Sequence, residues 1–149
     1  MKQDIASILK KLLDKCKEKF GVDLISVVLF GSYATGVEHE YSDVDLLIIA
    51  ENLSYDWRKR DEIATDLKTP FVFEKKMDIT LIDKKDLVDS MKWFDPLVLG
   101  ISEAYVILYD KKGFFGDKMK KFKEKVKEMH VKKIGDNSYE IPVGDLIEV

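Results

Sequence analysis

The chain predicts an α/β fold, a small mixed β-sheet covered by helices. Two observations carry that expectation. Short β-branched runs recur at 24–30, 43–50, 77–82 and 105–109, and longer stretches between them place apolar residues every third or fourth position. With 46% apolar and 11% aromatic residues there is material for a real core, and no internal repeat or low-complexity tract interrupts it. All 149 residues are read as a single domain, with a core over 1–110 and a basic helix plus acidic tail over 111–149.

The first element is a helix, because Ile5, Ile8, Leu9, Leu12, Leu13, Cys16 and Phe20 follow helical spacing with charges between them. Asp4 is its expected N-cap and Gly21 its stop. The run Leu-Ile-Ser-Val-Val-Leu-Phe at 24–30 is a strand ending at Gly31, and 43–50 is a second strand after a short polar turn. A helix is expected over 54–68, closed by Pro70, and a third strand over 77–82. Helical pieces follow at about 84–92 and 96–103, the latter with Asp95 as cap and Pro96 at its first position. A fourth strand over 105–109 leads to a lysine-rich helix whose apolar stripe is Phe115, Met119, Phe122, Val126 and Met129. In the tail, Tyr139, Ile141 and Val143 alternate, and Pro142 confines any strand there to an edge. Cys16 is read as core, and Trp57, Trp93 and Phe94 as core or interface. His39 is read as a solvent-exposed loop residue.

One cysteine allows no intramolecular disulfide and no cysteine-based zinc site, which points to a reducing compartment. The start Met-Lys-Gln-Asp has no apolar core of a signal peptide, and no apolar run nears the roughly 18 residues of a membrane span. A soluble, cytoplasmic protein is expected. The net charge of −3 gives no global reason for nucleic-acid binding, yet residues 111–133 carry ten lysines against Asp117, Glu124 and Glu128. That segment is either a solvated face or a docking surface.

The chemistry is concentrated between Phe30 and Leu47. Gly31-Ser32 ends a buried strand, and ten residues later Asp43-Val-Asp45 opens the next. Gly31 lets backbone approach a phosphate without a Cβ in the way. Ser32 supplies a hydroxyl, and N–H groups at the head of the following turn can meet an anionic oxygen. Asp43 and Asp45, two apart on a strand, project from one face. Carboxylates so close repel unless a divalent cation lies between them, and oxygen ligands of this kind suit Mg²⁺. Asp78 opens another strand and joins the cluster if the strands are neighbours. The combined pattern arises by chance on the order of 10⁻⁵ per starting position.

At these residues the chain resembles the polymerase β-type nucleotidyltransferase superfamily, and within it the minimal nucleotidyltransferases (MNT) of prokaryotes. The order helix, strand, Gly-Ser turn, strand, helix, strand covers about residues 1–83, and Phe94-Asp95-Pro96-Leu97 through Asp110 extends the likeness to small archaeal members. The resemblance implies the polymerase β-like nucleotidyltransferase fold. It implies that Asp43, Asp45 and Asp78 hold metal, with two Mg²⁺ ions, and that Asp78 binds metal or activates the acceptor hydroxyl. Gly31 and Ser32 would hold the triphosphate of an NTP, with ATP the expected substrate. Many relatives carry a basic residue after the serine, where this chain has Tyr33, and the loop with Glu38, His39 and Glu40 is acidic.

The expected activity is transfer of a nucleoside monophosphate, AMP from ATP, to a hydroxyl with release of pyrophosphate. By resemblance, the acceptor is a tyrosine of a toxin of the HEPN family, for which the chain would be the antitoxin. Stable nucleic-acid binding is not expected, because no second domain grips a long strand. Two other readings stay open: an antitoxin that acts by binding its partner, and a small-molecule nucleotidyltransferase.

Overall fold

Leu24–Phe30 (β1), Val44–Ala50 (β2), Met77–Ile82 (β3) and Tyr105–Asp110 (β4) form one sheet in the order β3-β2-β1-β4. The computed structural model describes residues 3–38 and 42–142. β1 runs antiparallel to both β2 and β4, whereas β2 and β3 are parallel. The sheet is therefore mixed, as the sequence predicts. A parallel pair needs a crossover, and the helix Trp57–Lys68 (α3) supplies it.

The central strands β1 and β2 are apolar nearly throughout because both faces of the sheet are covered there, whereas the edge strand β4 leaves Val106 and Ile107 exposed. On one face Leu12 and Cys16 of the helix Gln3–Phe20 (α1), with Leu67 of α3, pack against Val27, Leu29, Leu46 and Ile48. The four-residue helix Ser32–Thr35 (α2) follows β1. On the other face Leu87 of Lys84–Lys92 (α4), Ile101 of Pro96–Glu103 (α5) and Phe115 and Met119 of Phe114–Glu128 (α6) pack against Val28, Leu47 and Ile49. A bulge between Leu24 and Ser26 shifts the alternation by one residue, so Leu24 and Val27 share a face despite their odd spacing. Cys16 is fully buried and burial pushes its thiol up to about 12, so it is core, as expected.

Three expectations need correction. α1 begins at Gln3, so Asp4 lies inside the helix rather than capping it. α3 begins at Trp57 because the preceding residues are consumed as its cap: Asp56 N–H donates to Ser54 Oγ at 3.0 Å, and the Asp56 carboxylate accepts from Arg58 N–H at 3.0 Å. Trp57 and Trp93 are 53% and 74% exposed, so neither is core; Phe94 is buried. The tail forms a two-stranded hairpin, Lys132–Gly135 (β5) and Ser138–Glu140 (β6). His39, Glu40 and the stretch from Val143 to 149 lie outside the described residues.

Asp110 is a junction that the linear pattern does not announce. Its carboxylate accepts from buried Ser26 Oγ at 2.7 Å and from the Phe115 and Gly116 N–H groups, both at 2.9 Å. It thus caps α6 from the end of β4 while satisfying a hydroxyl inside the sheet. Asp110→Ala removes the cap and orphans that hydroxyl, and is expected to destabilise the fold by about 2–4 kcal/mol in urea unfolding. A loss below about 0.5 kcal/mol would show that the junction is dispensable.

Candidate active site

β1 and β2 meet as an antiparallel pair in which Phe30 stands opposite Asp45, so the turn after β1 lies against that aspartate. Gly31 has φ +73°, a conformation side chains avoid, and a Cβ there would overlap the Asp45 carboxylate. Backbone shape and contact both demand glycine. In the parallel pair β2–β3, Asp45 is in register with Asp78. Partners in register on adjacent strands point to the same face about 5 Å apart, so the two carboxylates are neighbours. The condition that the sequence left open for Asp78 is met.

The electrostatics follow from this crowding. Burial, then the charge of Asp78, then that of Asp43, raise the Asp45 carboxyl from 3.8 to about 6. Asp43 stands just before β2, with its Oδ2 3.6 Å from Lys76 Nζ. Asp43 therefore acts on Asp45 through its field while it pairs with a lysine. Among the described residues, no group of three or more His, Cys, Asp or Glu is gathered tightly enough to hold a metal ion. The donor set nonetheless fits a hard cation. Two adjacent carboxylates, one with a raised pKa, concentrate negative charge that a divalent ion relieves.

Asp45 and Asp78 open into a cleft of about 340 Å³ together with Gly31 and Thr35. Its far wall is α5, through Pro96, Leu97, Gly100 and Glu103, and Asn137 from the β5–β6 turn reaches its rim. Lys133 Nζ, 3.1 Å from Glu103 Oε2, ties the hairpin to α5. Thr80 also lines the cleft, and a strand period of two from Asp78 could have found it. Glu103 and Asn137 carried no such signal. Ser32 opens α2 beside Gly31, and the residues lining the cleft do not include it. Tyr33, standing where many relatives have a base, is buried, with Lys75 Nζ 5.3 Å from its ring centre. A cation is thus present near the Gly-Ser turn, contributed from a distant part of the chain.

The raised Asp45 carboxyl has a consequence for stability. Its contribution is fully present below the unfolded value of 3.8 and is lost as pH rises through about 6, because the folded site resists ionisation. The loss is expected to be about 1 kcal/mol once solvent screening at this half-exposed group is allowed for. Urea unfolding with chelator present, wild type against Asp45→Asn, reads it. The wild type should lose stability relative to the variant between pH 4 and pH 7. An equal gap at both pH values would refute the crowding.

The chain matches the nucleotidyltransferase domain family over residues 9–140. It is 41% identical over 143 residues to MJ1305 of Methanocaldococcus jannaschii, named a candidate protein adenylyltransferase, covering 95% of each chain. A second candidate protein adenylyltransferase of that organism, MJ0141, is 34% identical over 92 residues, 56% of this chain and 82% of that protein. Among solved structures the fold is similar to a crystal structure of a toxin–antitoxin with AMP-PNP, at a TM-score of 0.51 and 19% identity, over 80% of this chain and 91% of that chain. A match that runs across the Gly-Ser turn, both in-register aspartates and most of the sequence makes this chain a transferase belonging to the nucleotidyltransferase domain family.

Proposed function

We propose that the protein transfers AMP from ATP to a hydroxyl of another protein, a tyrosine of a HEPN-type toxin, and releases pyrophosphate. The observation that carries this reading is the in-register Asp45–Asp78 pair beside the close-packed Gly31 in one cleft. A protein acceptor is supported by the 41% identical relative, itself named a candidate protein adenylyltransferase. A toxin as acceptor is supported by the toxin–antitoxin structure that shares the fold, and by the resemblance to minimal nucleotidyltransferases. Such a protein works in the cytoplasm.

In this reaction the acceptor oxygen attacks the α-phosphorus, the bond from that phosphorus to the oxygen bridging to the β-phosphate breaks, and pyrophosphate leaves. Asp78, the more exposed of the pair, receives the acceptor's proton at its carboxylate. Gly31 and Ser32 hold the triphosphate at the turn. Asp45, Asp78 and Asp43 would hold Mg²⁺, as two ions, which when bound would neutralise charge on the triphosphate and lower the pKa of the acceptor. Ser32→Ala is expected to weaken ATP binding by about 1.5–3 kcal/mol, one hydrogen bond to a charged group, with little effect on folding. Calorimetry showing unchanged affinity would remove Ser32 from the phosphate site.

Incubation with each α-labelled NTP and Mg²⁺, with and without the protein encoded beside this one, tests the function. Label from ATP should appear on a tyrosine of that partner, and Tyr→Phe there should abolish it. Label appearing only on small hydroxyl compounds, or none from any NTP, would overturn the proposal.

A further inference from the structure

A second concave surface lies away from the cleft, between α4 and α6, and shares no lining residue with it. Its volume is about 330 Å³ and its floor is Val88 and Met91 of α4 with Phe122 of α6. Four lysines rim it: Lys92 from α4, and Lys118, Lys121 and Lys125 from α6. Positions 118, 121 and 125 fall on one stripe of a 3.6-residue helix, next to the buried stripe of Phe115, Met119 and Phe122. Asp117, Glu124 and Glu128 fall on the stripe beyond, and none of them lines the groove.

Among the described residues none of these four lysines forms an ion pair. Two lie over aromatic rings instead: Lys92 Nζ is 5.3 Å from the Trp93 centroid and Lys125 Nζ 5.0 Å from that of Phe94. The turn between α4 and α5 holds Phe94 at φ +52°, a strained value for a bulky residue, with its buried ring 6.0 Å from Phe122. That turn leaves its neighbour Trp93, next in the chain after the groove-lining Lys92, 74% exposed. An exposed large aromatic adjoining in sequence a groove with an apolar floor and a rim of lysines outside any ion pair is the composition of a binding hot spot.

We propose that the α4–α6 groove docks an acidic amphipathic helix of a partner protein, with Trp93 as the anchor. Charge complementarity selects the occupant. A helix presents carboxylates at the same three- and four-residue spacing as the lysine rows, and its apolar stripe covers Val88 and Met91. Because the groove and the cleft are separate, a partner held here leaves the Asp45–Asp78 site open.

The test uses the full chain with Trp57→Phe, so that Trp93 emission alone reports binding. The probe is a synthetic helix of about 18 residues with leucines at i, i+3, i+4 and i+7 flanked by glutamates. Saturable binding at about 1–100 µM is expected. Lys118→Glu with Lys121→Glu and Lys125→Glu should weaken it at least tenfold, the three Lys→Gln changes by less, and Val88→Asp at least tenfold. Raising salt should weaken it as well, because the charges are exposed. ATP binding by calorimetry should be unchanged in all three variants. Equal binding of a scrambled peptide or of polyglutamate would overturn the proposal, since no helical face is then read. Binding of double-stranded RNA with the same lysine dependence but no Val88 dependence would replace it with a phosphate-backbone surface. Absence of saturable peptide binding at about 1 mM would dismiss the groove as a solvated face.

Discussion

Asp45→Asn is expected to lower nucleotidyl transfer on the order of 10³-fold, about 4 kcal/mol of transition-state stabilisation, while the protein stays folded. The reasoning rests on position. Asp45 is in register with Asp78, opposite Phe30 and against Gly31, so it is the carboxylate that each neighbouring element touches. Its charge is costly in the folded state, with a carboxyl raised to about 6 by burial and by two neighbouring aspartates. An amide removes that cost and can donate to Asp78, so stability without metal should hold or rise at neutral pH. The same change removes one of the oxygens proposed to hold the metal. Thermal unfolding with and without Mg²⁺ therefore separates the two roles. The wild type should be stabilised by the ion and the variant much less. A variant that keeps near-wild-type transfer would show that Asp45 is not a metal ligand.

Gly31→Ala should be nearly as damaging to transfer and, unlike the first change, should also destabilise the fold by about 2–3 kcal/mol. The added methyl meets the Asp45 carboxylate, and the backbone at φ +73° disfavours any side chain. One or the other must move. Combining Gly31→Ala with Asp45→Ala removes the overlap, so part of the lost stability should return while activity stays absent. That non-additivity is the signature of direct contact. If Gly31→Ala alone unfolds and reacts like the wild type, the turn is not held against Asp45.

The sequence alone determined a good deal of this protein. The strands at 24–30 and 77–82 and the helices at 84–92 and 96–103 stand where apolar spacing, Asp95 and Pro96 put them, because these are local signals. Gly31, Asp45 and Asp78 were legible for a similar reason. A glycine at a strand end and aspartates at the polar starts of apolar strands are exceptions to their surroundings, and a site must be built from such exceptions. Only the tertiary structure decided the rest. Register between β2 and β3 makes Asp45 and Asp78 neighbours, although they stand 33 positions apart in the chain. The far wall of the cleft comes from α5 and the β5–β6 turn, so Glu103 and Asn137 carry no local mark of their place. Asp110 reads as the end of a strand and acts as the cap of a helix and the partner of Ser26. In each case the deciding contact lies between elements distant in sequence. Periodicity reports which face of an element is buried, but not against what, and chemistry depends on the second.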